Sequence, residues 1–236
     1  MNERVCRCET IAADMRRDMV GLSDVLGKSV AHWGGALSCT ELLAVLYGEV
    51  LNVKTDAFEE RDKLLFSKGH ASMALYTAMA ECKLLDRDEL SSTYSVDGSR
   101  LPAVTEANQQ MGIECSGGIL GLGLSMGAGM ALLAKERRYS YHTYVIVGDG
   151  EMDEGSVWES IMFASQRKLD NLTLIVDLNG LQADGSTKQI MDWNSLGERL
   201  HAFGWSVAEI DGHNCSEILS ALGKRIDGCP RAIVAH

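Results

Sequence analysis

Two polar side chains follow directly on apolar stretches of the sequence and could together bind a divalent cation. Asp149 lies in the segment VGDG at 147–150, and Asn179 lies in the segment DLNG at 177–180. Each segment ends a run of β-branched residues typical of a buried strand, and in open parallel sheets ligands bind beyond the carboxyl ends of the strands. A carboxylate and an amide oxygen are hard ligands, which suit Mg²⁺ together with phosphate oxygens and water. The pattern therefore predicts a phosphate and metal site.

Gly150 gives a further reason to expect phosphate at this position. A glycine permits close approach to the backbone, and the helix predicted to follow it offers free amides and the positive end of its dipole. A plainer interpretation also fits, because Asp-Gly and Asn-Gly pairs often do no more than form turns. These residues alone favour neither interpretation.

Strands and helices alternate around these residues, which predicts an α/β fold with a parallel sheet and helices on both faces. We expect a single domain over 1–236. The predicted helices lie at about 7–28, 40–51, 70–83, 155–168, 195–203 and 215–226. The predicted strands are YHTYVIVGDG, which ends at 150, and the stretches 172–179, 205–210 and 231–235. A glycine-rich, helix-like run at 112–134 allows close approach to a ligand or to another helix.

Composition and charge exclude several classes of protein. The chain has 236 residues, of which 46% are hydrophobic and 23% charged, enough for a sizeable core. A net charge of -11 argues against a nucleic-acid partner. No apolar stretch is long enough to cross a membrane, and the N-terminus has no secretory core, so we expect a cytoplasmic protein. Its seven cysteines lack metal-binding spacing and are expected to be reduced thiols.

The segment GDGEMDEGSVWESIMFASQRKLDNLTLIVDLNGLQADG resembles the thiamine diphosphate motif of transketolases along its whole length. The resemblance continues on both sides and covers nearly the whole chain. It implies the thiamine diphosphate-binding fold, with thiamine diphosphate and Mg²⁺ as cofactors. By position, Asp149, Asn179 and the backbone carbonyl of Leu181 would bind Mg²⁺, and Gly150 and Glu151 would contact the cofactor.

The same resemblance assigns a catalytic role to two glutamates, one directly before the predicted helix at 155–168 and one within it. Glu154 and Glu159 match buried acidic residues that connect the paired active sites across the dimer interface of the family. The alternative is that they are ordinary glutamates on a helix surface. The family interpretation is favoured because Val157 and Trp158 make this helix partly apolar.

Segments further upstream supply more site residues by resemblance. AHWGGALSCTELLAVLY resembles the family's GHxGGxLS segment, so His32 matches a catalytic histidine that faces the reacting carbons. RDKLLFSKGHAS resembles RDxFxLSKGHA, whose histidine contacts the cofactor diphosphate; this is His70, and a histidine can lend two N–H groups. SGGILGLGLSMGAGMA resembles STGxLGQGLSxAxGMA, so Gly118 and Leu120 would line the cofactor rings with backbone groups. The structural alternatives are that the histidine beside the glycines is only a packed turn residue and that the glycine-rich segment is only a packing helix.

Three features depart from the family pattern. LPAVTE stands where transketolases usually read LPGHPE, so Val104 occupies the position of a histidine that hydrogen-bonds the donor sugar. Leu122 replaces the glutamine of a GQG segment, and the chain stops at RAIVAH before a further KG-containing segment. Because a valine side chain cannot donate a hydrogen bond to the sugar, we expect a non-standard donor substrate or acceptor substrate.

The resemblance covers only the diphosphate-binding half of a transketolase. We therefore expect the N-terminal subunit of a split, two-component enzyme that transfers a two-carbon ketol unit from a ketose phosphate to an aldehyde acceptor. A separate C-terminal pyrimidine-domain subunit would complete the sites in an α₂β₂ heterotetramer. Two alternatives stay open. One is a related ketol or acyl transferase of specialised metabolism with a pyruvate-like or modified-sugar donor. The other is a non-catalytic subunit that only holds the cofactor.

Overall fold

A parallel sheet of five strands lies at the centre of the computed structural model, which describes residues 2–26, 32–53, 55 and 57–236. The strands, in chain order, are β1 Lys63–Phe66, β2 Thr143–Gly148, β3 Leu172–Asp177, β4 Leu181–Gln182, β5 Gly185–Ser186, β6 Ser206–Ile210 and β7 Arg231–Ala235. Across the sheet the order is β1-β2-β3-β7-β6, and every neighbouring pair is parallel. β4 and β5 form a separate short antiparallel hairpin.

Helices connect the strands. They are α1 Glu3–Leu26, α2 Trp33–Ser38, α3 Thr40–Val45, α4 Ser72–Glu81, α5 Arg87–Thr93, α6 Gly123–Arg137, α7 Gly155–Gln166, α8 Thr187–Ile190, α9 Leu196–Ala202 and α10 Cys215–Leu222. A π-helical segment, Leu46–Val50, follows α3, and 3₁₀ turns precede α4 and α7. Along the described part of the chain, no helix is both long and apolar enough to cross a membrane.

Both faces of the sheet are buried under helices. On β2, Tyr144 and Ile146 pack into a core shared with α1, α3, α4 and α10, whereas Val145 and Val147 pack into a core shared with α6, α7 and α9. This alternation follows from the strand geometry, in which successive side chains point to opposite faces. The predicted α/β fold with helices on both faces is therefore confirmed.

Most predicted elements agree with the structure to within a few residues. α7 begins at the predicted residue, β7 has the predicted bounds, and β3 begins as predicted but ends at Asp177, two residues before the predicted end. The first helix begins at Glu3, earlier than predicted, and the last two residues of the predicted helix 7–28 lie outside the described residues. The sequence did not predict β1, α2, α5, α8 or the β4–β5 hairpin. All of these except α5 contribute to the edge of the sheet where the predicted site residues lie.

Candidate functional site

Asp149 stands at the carboxyl end of β2 and joins three segments of the chain. Its Oδ1 accepts a hydrogen bond from the amide of Gly150 at 2.9 Å. Its Oδ2 accepts one from the amide of Gly180 at 3.0 Å and another from the hydroxyl of Thr187. Burial raises the pKa of Asp149, and these three hydrogen bonds oppose the rise. The carboxylate is thus held in one orientation by donors from the turn after β2, from the loop after β3 and from α8.

The loop after β3 lies beside the loop after β2, because the two strands pair with Gly148 opposite Asp177. Asn179, in the second loop, is exposed. Its Nδ2 lies 3.4 Å from the hydroxyl of Ser38 and 3.5 Å from Oδ2 of Asp177, and its Oδ1 accepts a hydrogen bond from the amide of Leu181 at 3.0 Å. The amide nitrogen therefore faces acceptors within the protein.

These residues fit a hard cation that is bound together with phosphate. Among the described residues, no group of three or more His, Cys, Asp or Glu side chains is placed to hold a metal ion. The predicted ligands, Asp149, Asn179 and the carbonyl of Leu181, offer one carboxylate and two neutral oxygens. Such a set suits Mg²⁺, which usually binds one or two carboxylates and completes its shell with phosphate oxygens and water.

A buried lysine connects α2 with β3 at this edge of the sheet. Nζ of Lys68 donates to the carbonyl of Gly35 at 3.1 Å, to the hydroxyl of Ser38 at 3.3 Å and to the carboxylate of Asp177. Burial opposes its charge, but the contact with the carboxylate of Asp177 helps to raise the pKa of Lys68 overall, so the ammonium group stays charged. Its three donors are all directed at protein acceptors. Lys68 therefore holds α2 against β3.

His32 and His70 lie together above this network. Their rings are 5.4 Å apart and nearly perpendicular, and His32 is exposed. Burial, with help from the charge of Lys68 and from His32, lowers the pKa of His70 to about 4. The imidazole is thus neutral at pH 7 and has one N–H, not the two that a charged histidine could lend. Gly35 leaves room for this ring, because a Cβ there would come within 2.8 Å of Nε2 of His70.

The glycine-rich segment passes close to the loop that carries His70. A Cβ on Gly69 would lie 2.6 Å from Cα of Gly117, so this approach of two backbones requires glycine. Gly118 has φ +91° and stands against Val104, whose Cγ1 would lie 2.9 Å from a Cβ at Gly118. The predicted cofactor-lining residue and the predicted departure from the family pattern are therefore direct neighbours.

Several apolar side chains in the loops of this site are exposed. Val104 is 42% exposed, Leu120 47% and Leu122 44%. Leu181, beyond Asn179, is 69% exposed. Single exposed apolar residues are ordinary, but a group around one polar edge indicates a surface that a ligand or another chain covers.

The three predicted site glutamates after Gly150 differ in burial. Glu151 is buried, and its Oε1 accepts hydrogen bonds from the hydroxyl of Ser67 at 2.5 Å and from the amide of Gly121 at 3.0 Å. Glu154 and Glu159 are exposed in the single chain. Glu151 therefore belongs to the interior beneath the glycine-rich segment, and the other two belong to the surface around α7.

Five residues of the site could not be predicted from the sequence alone. They are Ser38, Ser67, Lys68, Asp177 and Thr187. Lys68 and Asp177 stand inside the segments SKGH and DLNG, which the resemblance identified, but neither was assigned a role. Their partnership links positions 109 residues apart, and Ser38 bonds to Asp177 across 139 residues. Only the sheet topology brings such residues together.

A protein family described as "Transketolase, thiamine diphosphate binding domain" matches residues 11–230. The chain is 42% identical over 216 residues to the 6-deoxy-6-sulfo-D-fructose transketolase subunit SqwG of Clostridium sp. (strain MSTE9), covering 89% of the chain and 78% of that protein. It is 39% identical over 234 residues to an apulose-4-phosphate transketolase subunit of Phocaeicola vulgatus, covering 97% of the chain and 82% of that protein.

Transketolases with longer chains are similar to it as well. Human transketolase is 35% identical over 225 residues, but the aligned region covers only 35% of that protein. Among solved structures, transketolase from Leishmania mexicana superposes with a TM-score of 0.85 at 26% identity, covering 97% of this chain and 36% of that one. Transketolase from Campylobacter jejuni gives 0.84 at 29% identity, covering all of this chain and 38% of that one. The chain thus spans little more than a third of these longer proteins.

Proposed function

The chain belongs to the transketolase family through its thiamine diphosphate-binding domain, and from this premise we propose that it is the N-terminal subunit of a two-component transketolase. The reaction is transfer of a two-carbon ketol unit from a ketose, such as a ketose phosphate, to an aldehyde acceptor. One observation carries the proposal. The amide of Gly180 donates to Asp149 at 3.0 Å, which brings the loop with Asn179 against the loop with Gly150, as a shared diphosphate and metal site requires.

Thiamine diphosphate supplies the carbanion chemistry of the reaction, while the protein binds and orients it. Asp149, Asn179 and the carbonyl of Leu181 would hold Mg²⁺. Gly150 would let the diphosphate approach the backbone, and His70 would donate its single N–H to it. An anion bound beside His70 favours the charged imidazole, so its pKa would rise on binding.

His32 is the residue assigned to the substrate. It is exposed at the opening of the site, 5.4 Å from the ring of His70, where it can reach a group outside the chain. A histidine in this position can hold or move a proton at an oxygen of the sugar. His70 lies deeper and is tied to the cofactor end, so the two histidines have separate tasks.

We infer that the sites need a second chain that carries the pyrimidine domain, in an α₂β₂ assembly. Two relatives are themselves named as transketolase subunits, and this chain aligns with 78% and 82% of their lengths. Exposed apolar side chains on α6 and α7 would lie in such an interface; they are Met126, Leu133, Met162 and Phe163. Glu154 and Glu159, which are exposed in the single chain, would be covered there and would link paired sites.

Val104 favours a second candidate, a transketolase that acts on a modified sugar. It presents an apolar surface beside Gly118, and a valine cannot hydrogen-bond a hydroxyl of the donor. Two relatives carry names with unusual sugars, 6-deoxy-6-sulfo-D-fructose and apulose 4-phosphate. A non-catalytic subunit is less favoured, because the predicted metal, phosphate and substrate residues are all present.

Turnover measurements with several donors test these proposals. The chain is combined with the subunit encoded beside it, with thiamine diphosphate, Mg²⁺ and ribose 5-phosphate as acceptor. Xylulose 5-phosphate, apulose 4-phosphate and 6-deoxy-6-sulfofructose are offered in turn as donors. Activity with the first supports an ordinary two-component transketolase, and activity only with a modified sugar supports the second candidate. Cofactor binding without turnover of any ketose would contradict both.

A further inference from the structure

The segment Gly118–Leu120 lies exposed between two anchored glycines. On one side, the amide of Gly117 donates to the carbonyl of Thr105 at 2.9 Å, and its backbone touches Gly69. On the other side, Gly121 is buried. The position of the whole segment therefore depends on how firmly these two glycines are held.

Gly121 is held at both its amide and its carbonyl. The amide donates to Oε1 of Glu151 at 3.0 Å, and the carbonyl accepts from the hydroxyl of Ser156 at 2.9 Å. Its φ is +84°, and a Cβ there would collide with Oγ of Ser156 and lie 3.0 Å from Cβ of Glu154. The backbone at Gly121 cannot shift without losing two hydrogen bonds, and a larger residue does not fit.

Glu151 uses its carboxyl group for internal contacts. The residue is 2% exposed, and the oxygen that binds Gly121 also accepts from the hydroxyl of Ser67, three residues before His70. Its other oxygen, Oε2, is buried and has no hydrogen-bond partner among the described residues. Burying such a group is unfavourable in itself, which indicates a role in fixing positions rather than in stabilising the fold.

We propose that Glu151 and Ser156 are positioning residues that clamp Gly121 and so present Gly118–Leu120 to the cofactor. This inference rests on the proposed function. It also changes the expected role of Glu151, whose carboxyl holds the segment from the interior and does not itself touch the cofactor. A segment fixed in advance loses little freedom when its ligand binds, so loosening the clamp lowers affinity.

Hydrogen exchange of the full chain without cofactor tests the clamp independently of the enzymatic activity. In Glu151→Met the amide of Gly121 loses its acceptor, and in Ser156→Ala the carbonyl loses its donor. We expect amides of peptides spanning 117–123 to exchange at least about tenfold faster in both variants, because each removes one of the two hydrogen bonds that hold Gly121. Glu151→Gln keeps an oxygen where Oε1 stands, so its exchange should stay close to that of the unmodified chain.

Glu41→Met is the matched control. Glu41 is another buried glutamate, on α3, and it is paired with Arg16 and His213 rather than with the glycine-rich segment. Its loss should lower the melting temperature without changing exchange in 117–123. Should Glu151→Met fail to fold, Ser156→Ala and Glu151→Gln still decide the question, since both are small changes.

Calorimetry with the partner subunit then tests the consequence. Glu151→Met and Ser156→Ala should weaken thiamine diphosphate binding by about tenfold, the effect of losing a net hydrogen bond, and Glu151→Gln by less than about threefold. Unchanged exchange in 117–123 together with a lower melting temperature would overturn the clamp. Faster exchange with unchanged affinity would overturn its role toward the cofactor. Failure of the unmodified protein to bind the cofactor would instead contradict the proposed function.

Discussion

Lys68 illustrates how a residue can belong to a predicted phosphate site without being free to bind phosphate itself. Its three N–H groups are taken by Gly35, Ser38 and Asp177, so none is left to point outward. Asp177 in turn contacts the amide nitrogen of Asn179. The charge pair therefore fixes the orientation of a predicted metal ligand from within the protein.

Removing one member of this pair should be far more harmful than removing both. Lys68→Met leaves Asp177 buried and unpaired, and we expect a loss of about 3–5 kcal/mol in the free energy of unfolding. The double variant Lys68→Met with Asp177→Leu should lose less than the sum of the two single variants. Urea denaturation measures all four chains. Additive losses would show that the pair is not coupled.

Lys63→Met is the control for this comparison. Lys63 is also fully buried, but its Nζ lies 3.7 Å from Glu114 and over the ring of Phe58, away from the candidate site. Lys63→Met should lower the free energy of unfolding but leave the thiamine diphosphate affinity of the folded chain unchanged. Lys68→Met should lower both.

A buried histidine should make the fold sensitive to acid. Burial, together with the charge of Arg225, lowers the pKa of His142 in the folded chain to about 3, against an ordinary value of 6.5. Between these values the unfolded chain binds the extra proton, so the stability from His142 is complete above pH 6.5 and falls as the pH drops. At pH 5.5 the loss is about 1.4 kcal/mol.

His142→Gln should remove that part of the pH dependence. The difference in unfolding free energy between pH 7.5 and pH 5.5 should be smaller by about 1.4 kcal/mol in His142→Gln than in the unmodified chain. The measurement is urea denaturation at both pH values. An equal pH dependence in the unmodified and His142→Gln chains would contradict this account.

At the scale of elements, long and strongly patterned segments were predictable and short ones were not. β3 consists mainly of leucine and β-branched residues, and α7 begins at a clear glycine boundary, so both were predicted. β1 has four residues and begins with a buried lysine, while α2 contains two glycines. Such segments have weak intrinsic preferences and form because the surrounding core requires them.

The same division applies to the candidate site. Asp149, Gly150 and Asn179 stand at the carboxyl ends of predicted strands, so their meeting at one edge could be inferred from the order of elements. The bonds from Ser38 and Lys68 to Asp177 join elements whose contact depends on the sheet order, which the sequence did not reveal. Likewise, a neutral His70 follows from its burial, and burial is known only once the fold is known.

Two glycines should respond in opposite ways to alanine. Gly69→Ala forces a Cβ to within 2.6 Å of Cα of Gly117. We expect the free energy of unfolding to fall by about 2 kcal/mol or more and cofactor binding to weaken. Gly129→Ala, on α6, meets no atom within 4 Å and should stabilise the chain by about 0.5–1 kcal/mol. Thermal unfolding of both variants checks the pair. A harmless Gly69→Ala would contradict the close approach of the two loops.

For the whole molecule, the exposed apolar side chains of α6 and α7 should matter only in the assembly. Leu133 is 40% exposed and Met162 49%, so Leu133→Glu and Met162→Glu should leave the melting temperature of the single chain nearly unchanged. Each should weaken association with the partner subunit, because charge is unfavourable in the core of an interface. Ile226→Glu, at a 53% exposed position outside the sequence of both helices, is the control. Sedimentation of the mixed subunits distinguishes these outcomes, and unchanged association of all three variants would contradict the proposed interface.

Calorimetric titration of thiamine diphosphate into the assembled protein, with and without Mg²⁺, shows whether the cofactor is held through a metal ion at Asp149. We expect that binding requires Mg²⁺ and that Asp149→Asn weakens it by at least about tenfold, since the only carboxylate among the predicted ligands is lost. Asp149→Asn should keep the fold, because an amide oxygen can still accept from Gly150 or Gly180. Binding of equal strength without Mg²⁺, or unaffected by Asp149→Asn, would contradict the proposed diphosphate and metal site.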